Sequence, residues 1–138
     1  MGRRLARETV FKYLYEADIN KKEGLNEELN KEFYSNREET KELSKNQHDY
    51  VVDTTVGVFE NLEKIDKYLV DNIETWNFER VGLVERALLR FAVYELAFTE
   101  MGTEIIVNEA VELAKKYGEE KSHEFINGVL AIIIKNIR

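Results

Sequence analysis

The chain contains no cysteine and no proline, and the lack of cysteine narrows what it can do. Without cysteine it forms no disulfide, binds no metal through thiolates and offers no sulfur nucleophile. Its few histidines and serines, His48, His123, Ser35, Ser44 and Ser122, are a poor supply for a Ser-His-Asp triad. Its seven glycines are scattered and form no phosphate-binding loop. The composition therefore gives no support to an enzyme, and no cofactor is expected.

Long apolar runs are missing as well. No segment approaches the roughly 20 apolar residues of a membrane-spanning helix, and the basic N-terminus lacks the apolar stretch of a signal peptide. We therefore expect a soluble, cytoplasmic protein that does not contact membranes. Its 138 residues, of which 43% are hydrophobic and 34% charged, suit one folded domain with its own core.

Charge is unevenly distributed along the chain, whose net charge is −7. Residues 1–15 carry +3 and the remaining residues carry −10. The basic residues of the first segment are Arg3, Arg4, Arg7 and Lys12, and its one acid is Glu8. A small basic pole on an acidic body indicates a local contact with nucleic acid and leaves acidic surface for a basic partner.

Apolar residues recur at spacings of three and four, and no segment alternates over the length of a strand, so we predict an all-α fold of about seven helices. The first helix covers about residues 3–17. Ser44 and Gln47 predict a capping box at the start of a long helix. Residues 18–46, with a shorter helix near 25–34, leave the helix boundaries open.

Three helices are predicted in the second half of the chain, over residues 83–98, over 103–117 and from 122 onward. Thr103 and Ser122 are candidate caps for the second and third of these, and Gly118 is a candidate left-handed stop between them. The last helix is apolar nearly all round, so we expect it to lie buried between two groups of helices.

A basic and aromatic face is predicted on the first helix, where Arg4, Glu8, Phe11 and Tyr15 fall on one side with Arg7 at its edge. Arginine matches phosphate geometry and an exposed aromatic ring stacks on bases, as in the binding of single-stranded RNA. The plainer interpretation, which composition alone favours, is a solvated helix start with a surface ion pair between Arg4 and Glu8. Arginines in a first helical turn oppose the helix dipole, which argues for a role beyond stability.

Four blocks of the sequence are informative when they are considered together. They are Arg3-Arg4-Leu5-Ala6-Arg7-Glu8 with Leu14-Tyr15, then Val84-Glu85-Arg86-Ala87-Leu88-Leu89-Arg90 with Tyr94-Glu95-Leu96, then Asn108-Glu109-Ala110-Val111-Glu112-Leu113-Ala114-Lys115, and finally Phe125-Ile126-Asn127-Gly128-Val129-Leu130. They occur in the order and at the spacing of the NusB family of bacterial transcription antitermination factors. Because the blocks span nearly the whole chain, the sequence as a whole resembles that family.

The resemblance implies two small helical bundles packed at a steep angle, one over about residues 1–75 and one over about 80–138, within a single RNA-binding domain. It also implies binding to the boxA element of ribosomal leader RNA as a heterodimer with NusE, a ribosomal protein. This heterodimer acts within the RNA polymerase antitermination complex, which reads through terminators. The family carries out no catalysis and needs no metal.

The resemblance transfers roles to particular residues. Those that match the family's RNA-binding regions are Arg3, Arg4, Arg7 and Tyr15 in the first helix and Lys121 and Phe125 at the start of the last. Glu85 and Arg86 match the helix that faces NusE. Leu5 interrupts the basic run that family members often show, so we expect fewer phosphate contacts and a low RNA affinity without the partner. Lys121 stands where the family often has an acid, which favours RNA binding.

Two other function classes stay open at this point. The first is an RNA-modifying enzyme, because the same helical domain resembles the N-terminal module of some ribosomal RNA cytosine methyltransferases. The chain contains neither the cofactor-binding domain that follows that module nor a cysteine nucleophile, so we expect no methyl transfer. The second is a helical adaptor that binds protein alone. The sequence also leaves open the preferred RNA sequence, and whether the free protein is a monomer or a homodimer that covers its RNA surface.

Overall fold

The computed structural model describes residues 2–20 and 31–138, and no strand occurs among them, so the all-α prediction is confirmed. Eight helices occur in these residues: α1 (Gly2–Ile19), α2 (Lys31–Ser35), α3 (Glu38–Lys41), α4 (Lys45–Glu60), α5 (Leu62–Asn72), α6 (Leu83–Phe98), α7 (Thr103–Tyr117) and α8 (Ser122–Ile137). The helix predicted near 25–34 lies largely outside the described residues, and α2 overlaps its end. α3, a single helical turn, falls within residues 18–46, for which the sequence leaves the helix boundaries open.

Helices α1 to α4 belong to one compact unit, which ends at Glu60. α1, α2 and α3 all pack on α4, where Val51 and Val56 are buried. The predicted capping box is confirmed at the start of α4. The Ser44 hydroxyl accepts a hydrogen bond of 3.3 Å from the Gln47 N–H, and the Gln47 side-chain oxygen accepts one of 3.2 Å from the Ser44 N–H. This reciprocal cap fixes where α4 begins.

The middle of α1 is enclosed, because every residue from Ala6 to Phe11 is buried. Successive residues over more than one turn of about 3.6 residues point in every direction around a helix axis. This segment therefore has no exposed face. Its polar members Arg7, Glu8 and Thr9 lie in the interior together with its apolar ones.

Helices α5 to α8 form the second compact unit, which starts at Asn61. α6, α7 and α8 pack on one another, and α5 packs on both α6 and α8. Ile65 and Leu69 anchor α5, because both side chains are fully buried. α5 precedes the boundary that the sequence places between residues 75 and 80, yet its apolar stripe packs with the C-terminal helices.

α8 is not buried all round, which corrects the sequence prediction. Ile126, Leu130 and Ile133 are fully buried, whereas Phe125 and Ile132 are 41% and 44% exposed. α8 packs on α5, α6 and α7, and its remaining surface is open despite these apolar side chains. An exposed apolar residue is common on protein surfaces, so the aliphatic composition of α8 does not reveal its depth.

The ends of α7 and α8 differ from the predicted ones. Thr103 and Ser122 are the first residues of their helices, and Gly102 and Lys121 hold the cap positions. Gly118 ends α7 with φ at −94°, so it is not a left-handed stop. Glycine provides space there, because a Cβ at this position would lie 2.6 Å from the Cβ of Ser122.

Arg138 ties the end of α8 to the connection between α6 and α7. Its guanidinium donates hydrogen bonds to the carbonyl oxygens of Glu95 (3.2 Å), Leu96 (3.0 Å), Thr99 (2.8 Å) and Met101 (2.6 Å) and to the hydroxyl of Thr103 (2.9 Å). The last carbonyls of a helix lack a full set of partners within that helix, and arginine donors satisfy them well. One side chain therefore joins three helices of the second unit.

Candidate nucleic-acid interface

The first turn of α1 carries two exposed arginines. Arg3 and Arg4 are both exposed, and the turn contains no acidic residue. The N-terminus of a helix already carries partial positive charge, so two guanidinium groups beside it strengthen the attraction for an anion. These two side chains are therefore in the position that the sequence predicts for phosphate contacts.

Arg7 lies inside the unit and not at the edge of an exposed face. Its side chain is 2% exposed, and its Nη1 donates a hydrogen bond of 2.8 Å to the hydroxyl of Tyr50 on α4. A buried charge is tolerated only where polar groups compensate it. We therefore assign Arg7 to the joint between α1 and α4, which corrects its expected place on the surface.

The aromatic part of the predicted face is only partly exposed. Phe11 is 3% exposed and belongs to the core, whereas Tyr15 is half-buried with its ring centroid 5.9 Å from that of Phe11. Tyr15 lies on the same side of α1 as Arg4, about 16 Å further along the axis. The accessible part of this face therefore consists of Arg4 and part of Tyr15, and the exposed Arg3 adjoins it in the first turn.

The second predicted region lies at the start of α8. Lys121 is exposed, and Phe125 is 41% exposed. Trp76 lies beside Phe125, with its ring nearly parallel at 12° and a centroid distance of 6.5 Å. Trp76 in turn meets Phe78 edge to face at 5.1 Å. Phe125 thus offers a partly exposed aromatic ring within a small aromatic cluster.

Trp76 belongs to this candidate site, although no sequence pattern marks it as functional. It lies in the connection between α5 and α6, where the sequence indicates only that it packs under the connection together with Phe78. The available signal is its uniqueness, since it is the single tryptophan of the chain. A large ring in an irregular segment often marks a packing anchor or a binding surface.

The connection that carries Trp76 is held against α6. The Arg86 guanidinium donates a hydrogen bond of 2.8 Å to the Phe78 carbonyl oxygen. The Arg90 guanidinium lies 5.3 Å from the centre of the Phe78 ring and also forms two hydrogen bonds of 2.9 Å with Asp66. These contacts fix the aromatic cluster, and they occupy Arg86, one of the two residues predicted to face a partner.

Glu85, the other residue predicted to face a partner, is half-buried at the start of α6. Its carboxylate accepts a hydrogen bond from the hydroxyl of Ser122. The same hydroxyl accepts a hydrogen bond of 2.8 Å from the Glu119 N–H. Glu85 is therefore joined to the first residue of α8, which adjoins both Lys121 and the turn that carries Phe125.

The predicted RNA-binding residues thus form two groups, one in each unit. Arg3, Arg4 and Tyr15 lie on α1, and Lys121 and Phe125 lie at the start of α8 beside Trp76. Among residues 2–20 and 31–138, no group of three or more acidic or histidine side chains could hold a metal ion. None of the helices in that part of the chain is long and apolar enough to span a membrane.

Comparison with known sequences gives a consistent result. The NusB family model matches residues 4–135. The transcription antitermination protein NusB of Fusobacterium nucleatum subsp. nucleatum is 41% identical over 139 residues, which cover 98% of this chain and 90% of that protein. The protein of the same name from Nitratiruptor sp. is 41% identical over 136 residues, covering 99% of this chain and 94% of that protein.

Solved structures agree with this result. T. maritima NusB matches with a TM-score of 0.78 at 30% identity, covering 96% of this chain and 90% of that one. A chain in the crystal structure of antitermination factors NusB and NusE in complex with dsRNA matches with a TM-score of 0.80 at 34% identity, covering 98% of this chain and 97% of that one. Sequence and structure together establish that the chain belongs to the NusB family.

Proposed function

We propose that the protein binds boxA-type single-stranded RNA of ribosomal leader transcripts as a heterodimer with NusE, and that this complex helps RNA polymerase pass terminators. The family membership supports the antitermination role, and the related structure of NusB and NusE in complex with dsRNA supports the two partners. The exposed aromatic surface of Phe125 favours unpaired RNA, because a base must leave its helix to stack on a side chain.

Each predicted RNA contact has a distinct task in this proposal. Arg3 and Arg4 bind phosphates, since their exposed guanidinium groups adjoin a helix N-terminus. Lys121 adds a third positive charge at the start of α8. Phe125 and the accessible part of Tyr15 stack on bases. Arg7 supports the helix that carries the first two arginines, so it contributes to RNA binding through structure alone.

NusE is proposed to bind the side of the protein on which the first turn of α6 lies. Glu85 and Arg86 are the candidate contacts there, and both already take part in internal hydrogen bonds that hold them in place. The net charge of −7 suits a basic ribosomal protein as partner. The role involves no reaction on the RNA, and its place of action is the cytoplasm, where the transcript emerges.

A reconstituted transcription assay tests this function. RNA polymerase transcribes a template that carries a boxA leader followed by a terminator, with and without this protein and NusE. We expect read-through to rise only when both proteins are present and the boxA element is intact. Equal read-through on a template with a scrambled boxA element would contradict the proposal.

A further inference from the structure

We propose that Glu85 and Ser122 form a positioning pair that sets Lys121 and Phe125 for RNA. The inference rests on the proposed RNA binding by those two residues. Glu85 and Ser122 contact no RNA themselves in this inference and act only on the position of the residues that do. The contacts that carry it all lie within the second unit, at the start of α6 and the start of α8.

One hydroxyl group joins three segments at this place. Ser122 is 5% exposed, and its Oγ donates to the Glu85 carboxylate on α6 while it accepts from the Glu119 N–H in the connection before α8. A hydroxyl has one proton to donate and two lone pairs to accept with, so both bonds form together. The first residue of α8 is therefore fixed to α6 and to the chain that leads into α8.

Two glycines leave room for this pair. A Cβ on Gly82 would overlap Oε1 of Glu85, and a Cβ on Gly118 would lie 2.6 Å from both Cβ and Oγ of Ser122. Neither glycine has the positive φ that would require it for backbone reasons, since φ is −62° at Gly82 and −94° at Gly118. Close approach of side chains explains both positions better than turn geometry does.

Two adjacent residues of α6, Glu85 and Arg86, hold the segments that carry Phe125 and Trp76. Glu85 binds Ser122, which lies one helical turn before Phe125. Arg86 binds the Phe78 carbonyl oxygen in the connection that carries Trp76. The first turn of α6 therefore sets the position of Phe125 relative to Trp76. It also sets the direction in which the neighbouring Lys121 projects.

The test uses Ser122→Ala in the full chain, with Asn136→Ala as the matched control. Asn136 also joins α8 to a neighbouring helix through one hydrogen bond, of 2.6 Å to Asn72, but at the other end of α8. Circular dichroism first checks that both variants fold. The readouts are the affinity for a labelled boxA-type RNA with NusE present, and acrylamide quenching of the fluorescence of Trp76, the single tryptophan, in the free protein.

We expect Ser122→Ala to weaken RNA binding about fivefold, because part of the binding free energy is then spent on ordering the start of α8, and to increase the quenching of Trp76. Asn136→Ala should leave both readouts at their wild-type values. Glu85→Gln retains an oxygen that accepts from Ser122 and should keep wild-type quenching, whereas Glu85→Ala should increase the quenching as Ser122→Ala does.

Unchanged RNA affinity in folded Ser122→Ala would overturn the inference, whatever the fluorescence shows. If that variant does not fold, equal quenching in Glu85→Ala and Glu85→Gln would overturn it instead. A wild-type protein that binds no RNA would contradict the proposed function. The quenching series would then decide alone whether the pair orders the start of α8.

Discussion

The Arg7 guanidinium donates a hydrogen bond of 2.8 Å to the Tyr50 hydroxyl, and this bond joins α1 to α4 inside the N-terminal unit. The finding separates the arginines of the first helix into two kinds. Arg3 and Arg4 are exposed and can meet an anion, whereas Arg7 is enclosed and stabilises the helix that presents them.

Arg7→Ala should lower the free energy of unfolding by about 2–3 kcal/mol, because it removes a charged hydrogen-bond donor from the interior. Tyr50→Phe, which removes only the acceptor, should cost about 1–2 kcal/mol. Exposed Arg3→Ala is the control and should unfold at nearly the wild-type urea concentration. An Arg7→Ala variant with full stability and lost RNA binding would show that Arg7 contacts RNA directly.

Alkaline pH should destabilise the N-terminal unit through Tyr13. Burial, and after it the Glu39 carboxylate that accepts its hydrogen bond, raise the pKa of Tyr13 from 10.0 to about 12. The unfolded chain then loses this proton before the folded one does. The contribution of Tyr13 to stability is therefore complete below pH 10 and declines as the pH rises from 10 toward 12.

Tyr13→Phe should flatten this decline, because phenylalanine has no proton to lose. Urea unfolding at a series of pH values from neutral to strongly alkaline measures the free energy of unfolding of the variant and of the wild type. The slope of the free energy of unfolding against pH should differ between the variant and the wild type only above pH 10, the ordinary pKa of tyrosine. Parallel curves over the whole range would show that Tyr13 titrates alike in both states.

Arg138→Ala should destabilise the second unit by about 1–2 kcal/mol, because several carbonyls at the end of α6 and beyond it lose a shared donor. Arg138→Lys keeps the charge without the planar fork and should recover only part of the loss. Thermal unfolding of the two variants distinguishes the geometric from the electrostatic effect. Full recovery by lysine would show that charge alone matters at this position.

Glu85→Gln should slow the association with NusE by a few-fold at low salt and less at high salt, because it removes one negative charge and keeps the bond to Ser122. Ser122→Ala should leave NusE binding close to wild type, since it retains the Glu85 charge. Surface plasmon resonance at two salt concentrations measures both. Equal association rates for Glu85→Gln and wild type would reject a role for this charge in partner binding.

Local signals in the sequence predicted the later helices closely. α6 covers Leu83–Phe98 and α7 covers Thr103–Tyr117, as their apolar periodicity indicates. The capping box at Ser44 and Gln47 was equally readable, because both of its hydrogen bonds join residues three apart. Helix bounds and caps can therefore be predicted from the sequence where the residues that determine them are close neighbours along the chain.

Features set by distant residues were not accessible. Arg7 and Tyr50 are separated by 43 positions, and no periodicity indicates that they meet, so a surface position was the natural expectation for an arginine. The pairing of Trp76 with Phe125 and the burial of Phe11 have the same origin. The chemical types of the candidate RNA contacts were predictable, but their exposure depended on tertiary packing.

The most direct test of RNA binding is fluorescence anisotropy of a labelled boxA-type RNA, titrated with this protein in the presence of NusE over a series of salt concentrations. The comparison is between wild type, the double variant Arg3→Ala with Arg4→Ala, and a charge-matched control in which the exposed Lys64 and Lys67 of α5 become alanine.

Wild type and the lysine control should bind with the same affinity and the same negative salt slope. The arginine variant should bind more weakly, with a slope reduced by about 1.4, because each phosphate contact on single-stranded RNA contributes about 0.7. An arginine variant whose affinity and salt slope match those of the control would contradict the assignment of the RNA-binding surface to the start of α1.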